Sequence, residues 1–297
     1  MKVYKFGGAS IRDIERIKQM AVITRSTSSG KTLIVISAMG KTTNALEKVA
    51  EAFYDKRREE AITLFNTIKE QHLTIARELL IKEYPQAAEH LSGFFTEIEW
   101  LLHDNPVQEY DYYYDQVVCI GEMLSSAIIS AYFNQEGIMN KWVDVRDILR
   151  TNDTFREAVI DWDISLQRTA DTLKPLFGET DIVITQGFIG STDENESTTL
   201  GREGSDYTAA VFANMLGAES ITLWKDVAGV MSADPREFPE AVLLKELTYQ
   251  EMTEIAYNGA KIIHPKTIKP LQDKNIPMYV KCFLDHSLPG TIIKNNN

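Results

Sequence analysis

Six strand-length apolar runs, at residues 2–6, 32–38, 139–144, 181–186, 220–224 and 277–282, are separated by segments whose apolar residues recur at helical spacing. Strands that alternate with helices predict an α/β fold, a largely parallel sheet covered by helices. One stretch breaks the alternation. Residues 45–135 are dominated by Ala, Leu, Glu, Ile and Lys at three-to-four spacing, with breaks at Tyr84-Pro85 and Asp104-Asn105-Pro106. They predict a helical insertion of about three or four helices. The segment 187–201, rich in Ser, Thr, Asp, Glu and Asn, reads as an exposed hairpin or loop. A lobe boundary is expected there, dividing one domain of 297 residues into lobes 1–190 and 191–297.

A chain of this length with 44% apolar residues can bury a substantial core. Its formal charge of −12 and the lack of a basic run longer than Lys56-Arg57-Arg58 argue against nucleic acid as a partner. Cys119 and Cys282 lie far apart, outside any CxxC or zinc-type spacing, and are expected as buried thiols. The five histidines form no HExxH and no nucleophile-elbow arrangement, which sets hydrolase triads aside. The start Met1-Lys2-Val3-Tyr4-Lys5-Phe6 lacks the apolar centre of a signal peptide, and the longest apolar runs are of strand length. A cytoplasmic protein with no membrane partner is the expectation.

Two turns are built to face anions. In the first, the strand-like run to Phe6 is broken by Gly7-Gly8, with Lys5 at the strand's mouth. Ser10 is placed to cap a helix whose apolar face runs Ile11, Ile14, Ile17, Met20 and Ala21. In the second, Leu200-Gly201-Arg202-Glu203-Gly204-Ser205-Asp206-Tyr207-Thr208 leads into an apolar helix expected over 205–216. The guanidinium of Arg202 can grip a carboxylate with two hydrogen bonds, and a helix N-terminus offers unpaired N–H groups. Asp206 also reads as a first-turn acid on that helix, and Lys5 as an ordinary strand end. Gly40-Lys41-Thr42 resembles the end of a P-loop, but Val35 stands where the motif requires its first glycine. No Rossmann or protein-kinase glycine pattern follows the first strand.

Several motifs occur in one order: Lys5 to Ser10, Ser37 to Asn44, Gly121-Glu122, Thr185 to Gly190, Leu200 to Thr208, and Asp234-Pro235-Arg236. In that order the chain resembles the catalytic domain of aspartate kinases, within the amino acid kinase family, over roughly residues 1–293. The resemblance implies a three-layer αβα sandwich, an acidic amino acid in the N-terminal lobe, and ATP with magnesium in the C-terminal lobe. It implies transfer of the γ-phosphoryl group to the side-chain carboxylate of L-aspartate, opening the biosynthesis of lysine, threonine and methionine. A carboxylate of ordinary pKa, about 4, is already ionised at neutral pH and needs no general base. Such chemistry calls for positioning and charge neutralisation instead.

By motif position, Lys5 would neutralise the transferring group while the N–H groups of Gly7 and Gly8 cradle its oxygens. Asp206 would organise Lys5 and the substrate. Arg202 would take the α-carboxylate of aspartate, Glu122 its ammonium, and Thr43 a hydrogen bond. Glu122 by itself is an ordinary helix glutamate, yet it stands among Val117, Val118, Ile120, Met123 and Leu124, where an inward acid wants a partner. The nucleotide would meet Gly7, Gly8, Ser10, Lys225, Asp226, Met231, Arg236 and Lys261, with magnesium bound mainly through ATP. Many relatives carry threonine at Lys225, proline at Ala228, tyrosine at Met231, threonine at Ala9 and glycine at Glu203. The sequence stops before the ACT regulatory domains such enzymes usually carry, so either a short enzyme without feedback, control by another chain, or a truncated sequence is expected, together with homodimerisation. The open alternatives are another acceptor (glutamate, N-acetylglutamate, carbamate or UMP) and a weakly active ligand-binding or regulatory subunit.

Overall fold

The computed structural model describes residues 1–233, 237, 238, 240–258 and 262–295. In chain order its elements are β1 (Lys2–Phe6), α1 (Ile14–Thr27), β2 (Thr32–Ile36), α2 (Thr42–Tyr54), α3 (Arg58–Leu79), α4 (Tyr84–His103), α5 (Tyr110–Val118) and α6 (Ile120–Gln135). There follow β3 (Asn140–Trp142), α7 (Trp162–Glu179), β4 (Ile182–Gln186), β5 (Ile189–Ser191), β6 (Ser197–Thr199) and α8 (Gly204–Leu216). The chain closes with β7 (Ser220–Lys225), β8 (Glu246–Thr248), α9 (Tyr249–Tyr257), α10 (Pro265–Gln272), β9 (Met278–Cys282) and β10 (Thr291–Lys294).

Eight strands form one sheet in the order β3-β4-β2-β1-β7-β9-β10-β8, and β5 pairs with β6 in a separate hairpin. Every pairing in the large sheet is parallel except β9 with β10. All of β2 and β4 is buried, as expected of parallel strands covered on both faces. The first strand is the pivot. From β1 the chain builds outward through β2 to β4, then returns to lay β7 on the other side, so the topological switch lies at the carboxyl ends of β1, β2 and β7. Strands β3, β4, β2 and β1 make one half of this sheet and β7, β9, β10 and β8 the other, meeting where β1 pairs with β7.

The insertion holds five helices, α2 to α6, rather than three or four. Both foreseen breaks are present, and Pro85 opens α4 at its first turn, where its missing N–H costs nothing. The two unforeseen breaks, at 55–57 and at Cys119, carry no glycine or proline to mark them. By length and hydropathy the run Tyr110–Gln135 could cross a membrane, but 89% of its most apolar window is buried inside the protein. It is core: α6 packs on β2, β3 and β4. The hairpin 187–201 is also buried apart from its tip, because β5 and β6 are wholly enclosed while Asp193 to Asn195 face water. Its polar residues find partners elsewhere in the fold; Thr198 shares a 2.7 Å hydrogen bond with Thr151. Ser10 does not cap a long helix. A 3-10 turn spans Gly8–Ile11, and α1 starts later, capped by Asp13 accepting from the N–H of Arg16. The short strand β8 had no alternating apolar pattern to reveal it.

Asp115, fully buried in α5, ties the insertion to the hairpin. Its Oδ2 accepts from the N–H groups of Arg156 (2.9 Å) and Thr199 (2.7 Å), and its Oδ1 from the Thr199 hydroxyl (2.7 Å). Burial pushes its pKa up to about 6 against the pull of these donors. D115A, which strands two buried N–H groups, is expected to lower the unfolding free energy by about 2–4 kcal/mol in urea titrations. D115N can turn its oxygen to both N–H groups and should cost far less; equal losses for the two variants would contradict this account.

Candidate active site

Lys5 stands near the end of β1, in register with Val35 on one side and Leu223 on the other, so its ammonium emerges at the switch point. The first turn of α8 brings Asp206 to meet it. Lys5 Nζ lies 2.7 Å from Asp206 Oδ1, and Lys225 Nζ, from the end of β7, lies 2.8 Å from Oδ2. The Asp206 side chain has no solvent exposure, and those of Lys5 and Lys225 retain 9% and 19%. Lys225 makes an aligned hydrogen bond, whereas the Lys5 contact is an ion pair outside hydrogen-bond alignment. Burial alone would raise the Asp206 pKa, but the ammonium groups of Lys225 and Lys5 override it and hold the carboxyl well below the usual range. Burial likewise opposes the charge on Lys225, and Asp206 reverses the balance, raising its pKa. Two cations on one carboxylate leave a surplus positive charge in a poorly solvated place, which favours an incoming anion.

Glycines let the walls close around this centre. A Cβ on Gly8 would lie 2.5 Å from the Ala38 carbonyl oxygen, so only glycine lets the 7–11 turn interlock with the loop 37–41. The lock is a bond from the Gly40 N–H to the Gly8 carbonyl, 3.0 Å. Gly121 does the same for α6, where a Cβ would come 2.9 Å from that of Ala38. The close approach allows Glu122 Oε1 to accept from the Ala38 N–H at 3.1 Å and Ser125 Oγ from the Met39 N–H at 3.0 Å. Glu122 Oε2, equally buried, has no partner among the described residues. Burial pushes the Glu122 pKa up to about 8, with the Ala38 N–H and the charge of Lys5 pulling the other way.

A cavity of about 790 Å³ gathers Lys5, Gly8, Thr43, Glu122, Arg202 and Asp206 on its walls. Thr43 comes from the first turn of α2 and Arg202 from the turn before α8, where its side chain is exposed. One carboxylate in want of a proton or cation, an exposed guanidinium and a paired lysine thus face a common space. Tyr114, Phe155, Arg156 and Phe188 also line the cavity, beside acids such as Asp111 and Glu157, and were not foreseen. Arg156 stacks on Tyr114 at 4.4 Å, with positive φ at a non-glycine residue, which no sequence pattern announces.

The nucleotide set is more scattered. Gly8 lines the cavity and Gly7 lies next to Lys5, where a Cβ would come 3.4 Å from Nζ. Ser10 is buried and its hydroxyl donates to the Trp224 carbonyl at 3.2 Å. Lys225 is engaged with Asp206, Asp226 is exposed just beyond β7, and Met231 is bridged to Leu243. Arg236, with its Asp-Pro-Arg motif, and Lys261 lie outside the described residues. Among the described residues no cluster of three side chains is suited to hold a metal ion, and both oxygens of Asp206 are taken by lysines.

Comparison with known proteins gives a consistent set. The model of the amino acid kinase family matches residues 1–282. The bifunctional aspartokinase/homoserine dehydrogenase 2 of Arabidopsis thaliana is 34% identical over 98% of this chain and 32% of its own length. Lysine-sensitive aspartokinase 3 of Escherichia coli is 34% identical over 99% of this chain and 64% of its own. The chain thus spans about a third to two thirds of these relatives. The crystal structure of E. coli aspartokinase III in complex with aspartate and ADP superposes with a TM-score of 0.90, at 32% identity, covering all of this chain and 65% of the other.

Glu122 gives the site a pH signature. Its pKa of about 8 in the folded chain exceeds its ordinary 4.5, so between those values the native state holds a proton that the unfolded state has lost. Its stabilising contribution is complete below about 4.5 and is lost as the pH rises to about 8. E122Q keeps the bond from Ala38 and has no proton to lose. Urea titrations from pH 5 to 8 should show wild-type stability falling more steeply than that of E122Q, by up to several kcal/mol; parallel profiles would refute the assignment.

Proposed function

The chain belongs to the amino acid kinase family, and from that premise we propose that it is an aspartate kinase, moving the γ-phosphoryl group of ATP to the side-chain carboxylate of L-aspartate to give 4-phospho-L-aspartate. The observation that carries this reading is the buried, unpartnered Oε2 of Glu122 in the same cavity as Arg202 and the Lys5–Asp206 pair. An α-amino acid presents an ammonium and a carboxylate from one carbon, and Glu122 and Arg202 are complementary to that pair. The second carboxylate of aspartate is then free to meet the phosphoryl group beside Lys5. The likeness to aspartokinases supports the choice of aspartate and ATP.

The chemistry needs little covalent help. A side-chain carboxylate oxygen forms the new P–O bond, the bond from the γ-phosphorus to the β-bridging oxygen breaks, and ADP leaves with that electron pair. No proton moves. The barrier comes from bringing an anion to a polyanion, and fixed cations aimed at the developing charge lower it without reorganising. Lys5 and the Gly7–Gly8 turn supply that field, while Lys225 and Asp206 fix the direction of the lysine. Magnesium would arrive on the nucleotide's phosphates.

Protein mixed with MgATP, L-aspartate and hydroxylamine should form the aspartyl hydroxamate as the acyl phosphate is trapped. N-acetyl-L-aspartate keeps both carboxylates but lacks the cation for Glu122, so its kcat/KM should fall by at least about 10²-fold. L-glutamate in the same panel tests acceptor length. Folded protein that turns over none of these, or favours the acetylated acid, would remove the proposal.

A further inference from the structure

Arg202 is fixed from outside its own turn. Gly201 and Glu203, on either side of it, have φ of +71° and +56°, and Glu203 holds that left-handed conformation despite carrying a Cβ. A turn of this kind keeps its shape only where neighbours hold it. Asp115 holds Thr199, and the Leu200 N–H donates to the Phe188 carbonyl at 2.8 Å. Within the turn the Gly204 N–H donates to the Gly201 carbonyl at 3.0 Å, and from outside it the Leu200 carbonyl accepts from Lys266 Nζ at 2.7 Å.

Lys266 comes from the first turn of α10, in the other half of the chain. Its N–H donates to His264 Nδ1 at 3.2 Å, and its ammonium lies 5.5 Å over the Tyr207 ring. Nζ is 3.7 Å from where a Cβ of Gly201 would stand, one residue before Arg202. Burial lowers its pKa, only partly countered by the nearby charges of Glu157 and Glu203, yet its hydrogen bond goes to a main-chain carbonyl. Packing of α10 on α8 would be served as well by an apolar side chain; the ammonium adds the bond to Leu200.

We propose that Lys266 is a positioning residue for the acceptor: by holding the Leu200 carbonyl it sets the Arg202 turn, and through Arg202 the α-carboxylate. This rests on the reading of Arg202 as the α-carboxylate's partner. Lys266 does not line the cavity, so it acts on acceptor binding through the turn and leaves the phosphoryl-facing Lys5 untouched. A shift of about 1 Å in such a group is enough to weaken a bidentate grip substantially.

The test compares wild type, K266M and K266R in steady-state turnover, in aspartate binding by calorimetry and in thermal unfolding. K266M keeps the stem over Tyr207 and loses the donor. It should raise KM and Kd for L-aspartate about tenfold, equivalent to about 1.4 kcal/mol, with kcat and the KM for MgATP within about twofold of wild type. K266R retains a charged donor and should recover most of the loss. Should K266M fail to fold, K266Q, whose shorter amide does not reach Leu200, serves the same comparison. An unchanged KM for aspartate, or equal rises in the KM of both substrates, overturns the proposal while the kinase reading stands. Wild-type protein that neither binds nor phosphorylates aspartate overturns both.

Discussion

A carboxylate cut off from water stays charged only if cations come to it, and Asp206 has drawn two. Lys5 reaches it from β1 and Lys225 from β7, so one buried acid joins the first strand, the seventh strand and the helix α8. Removing the acid would leave two ammonium groups repelling each other in a poorly solvated space; removing either lysine would weaken the hold on the acid's charge. The arrangement is costly to build and carries one positive charge in excess. That excess is what a site for an anionic acceptor and a polyanionic donor requires.

The rest of the cavity follows from where a parallel sheet changes direction. The crossovers deliver their groups to the carboxyl ends of the central strands: the 7–11 turn after β1, both Thr43 and Glu122 from the helices after β2, and Arg202 before α8. The glycines decide how closely these can meet. Gly8 and Gly121 bring two backbones against the Ala38 loop, and that approach buries Glu122 with one oxygen satisfied and one waiting. A buried acid of raised pKa with an open acceptor is a poor structural element but a good seat for an ammonium.

Much of this was legible before any coordinates. The strand runs fall on β1, β2, β3, β4, β7 and β9; the central parallel strands among them are apolar on both faces and stand out, whereas β3 is a short edge strand with one exposed residue. Lys5, Thr43, Glu122, Arg202 and Asp206 converge on one cavity, each marked by a turn or by an acid in an apolar helix. What escaped depends on distant partners. Lys225 was expected to meet the nucleotide, and no local signal marks its pairing with Asp206, 19 residues earlier. Ser10 looked like a cap, but the backbone makes a 3-10 turn first and its hydroxyl finds Trp224 instead. Asp115 could have been noticed by the reasoning that picked out Glu122, since it too precedes an apolar stretch, Val117-Val118. The hairpin 187–201 misled because its threonines and serines are satisfied indoors by residues from other segments, Thr198 by Thr151 and Thr199 by Asp115, and composition cannot tell that from exposure to water.

The account stands on fixed positive charge at the meeting point of donor and acceptor. Lys5→Met keeps the length of the side chain and removes its charge, so kcat for aspartate phosphorylation, read beside aspartate affinity by calorimetry, tests it most directly. The expected result is a fall in kcat of at least about 10²-fold with aspartate affinity nearly unchanged. A variant that turns over within a few-fold of wild type would contradict it.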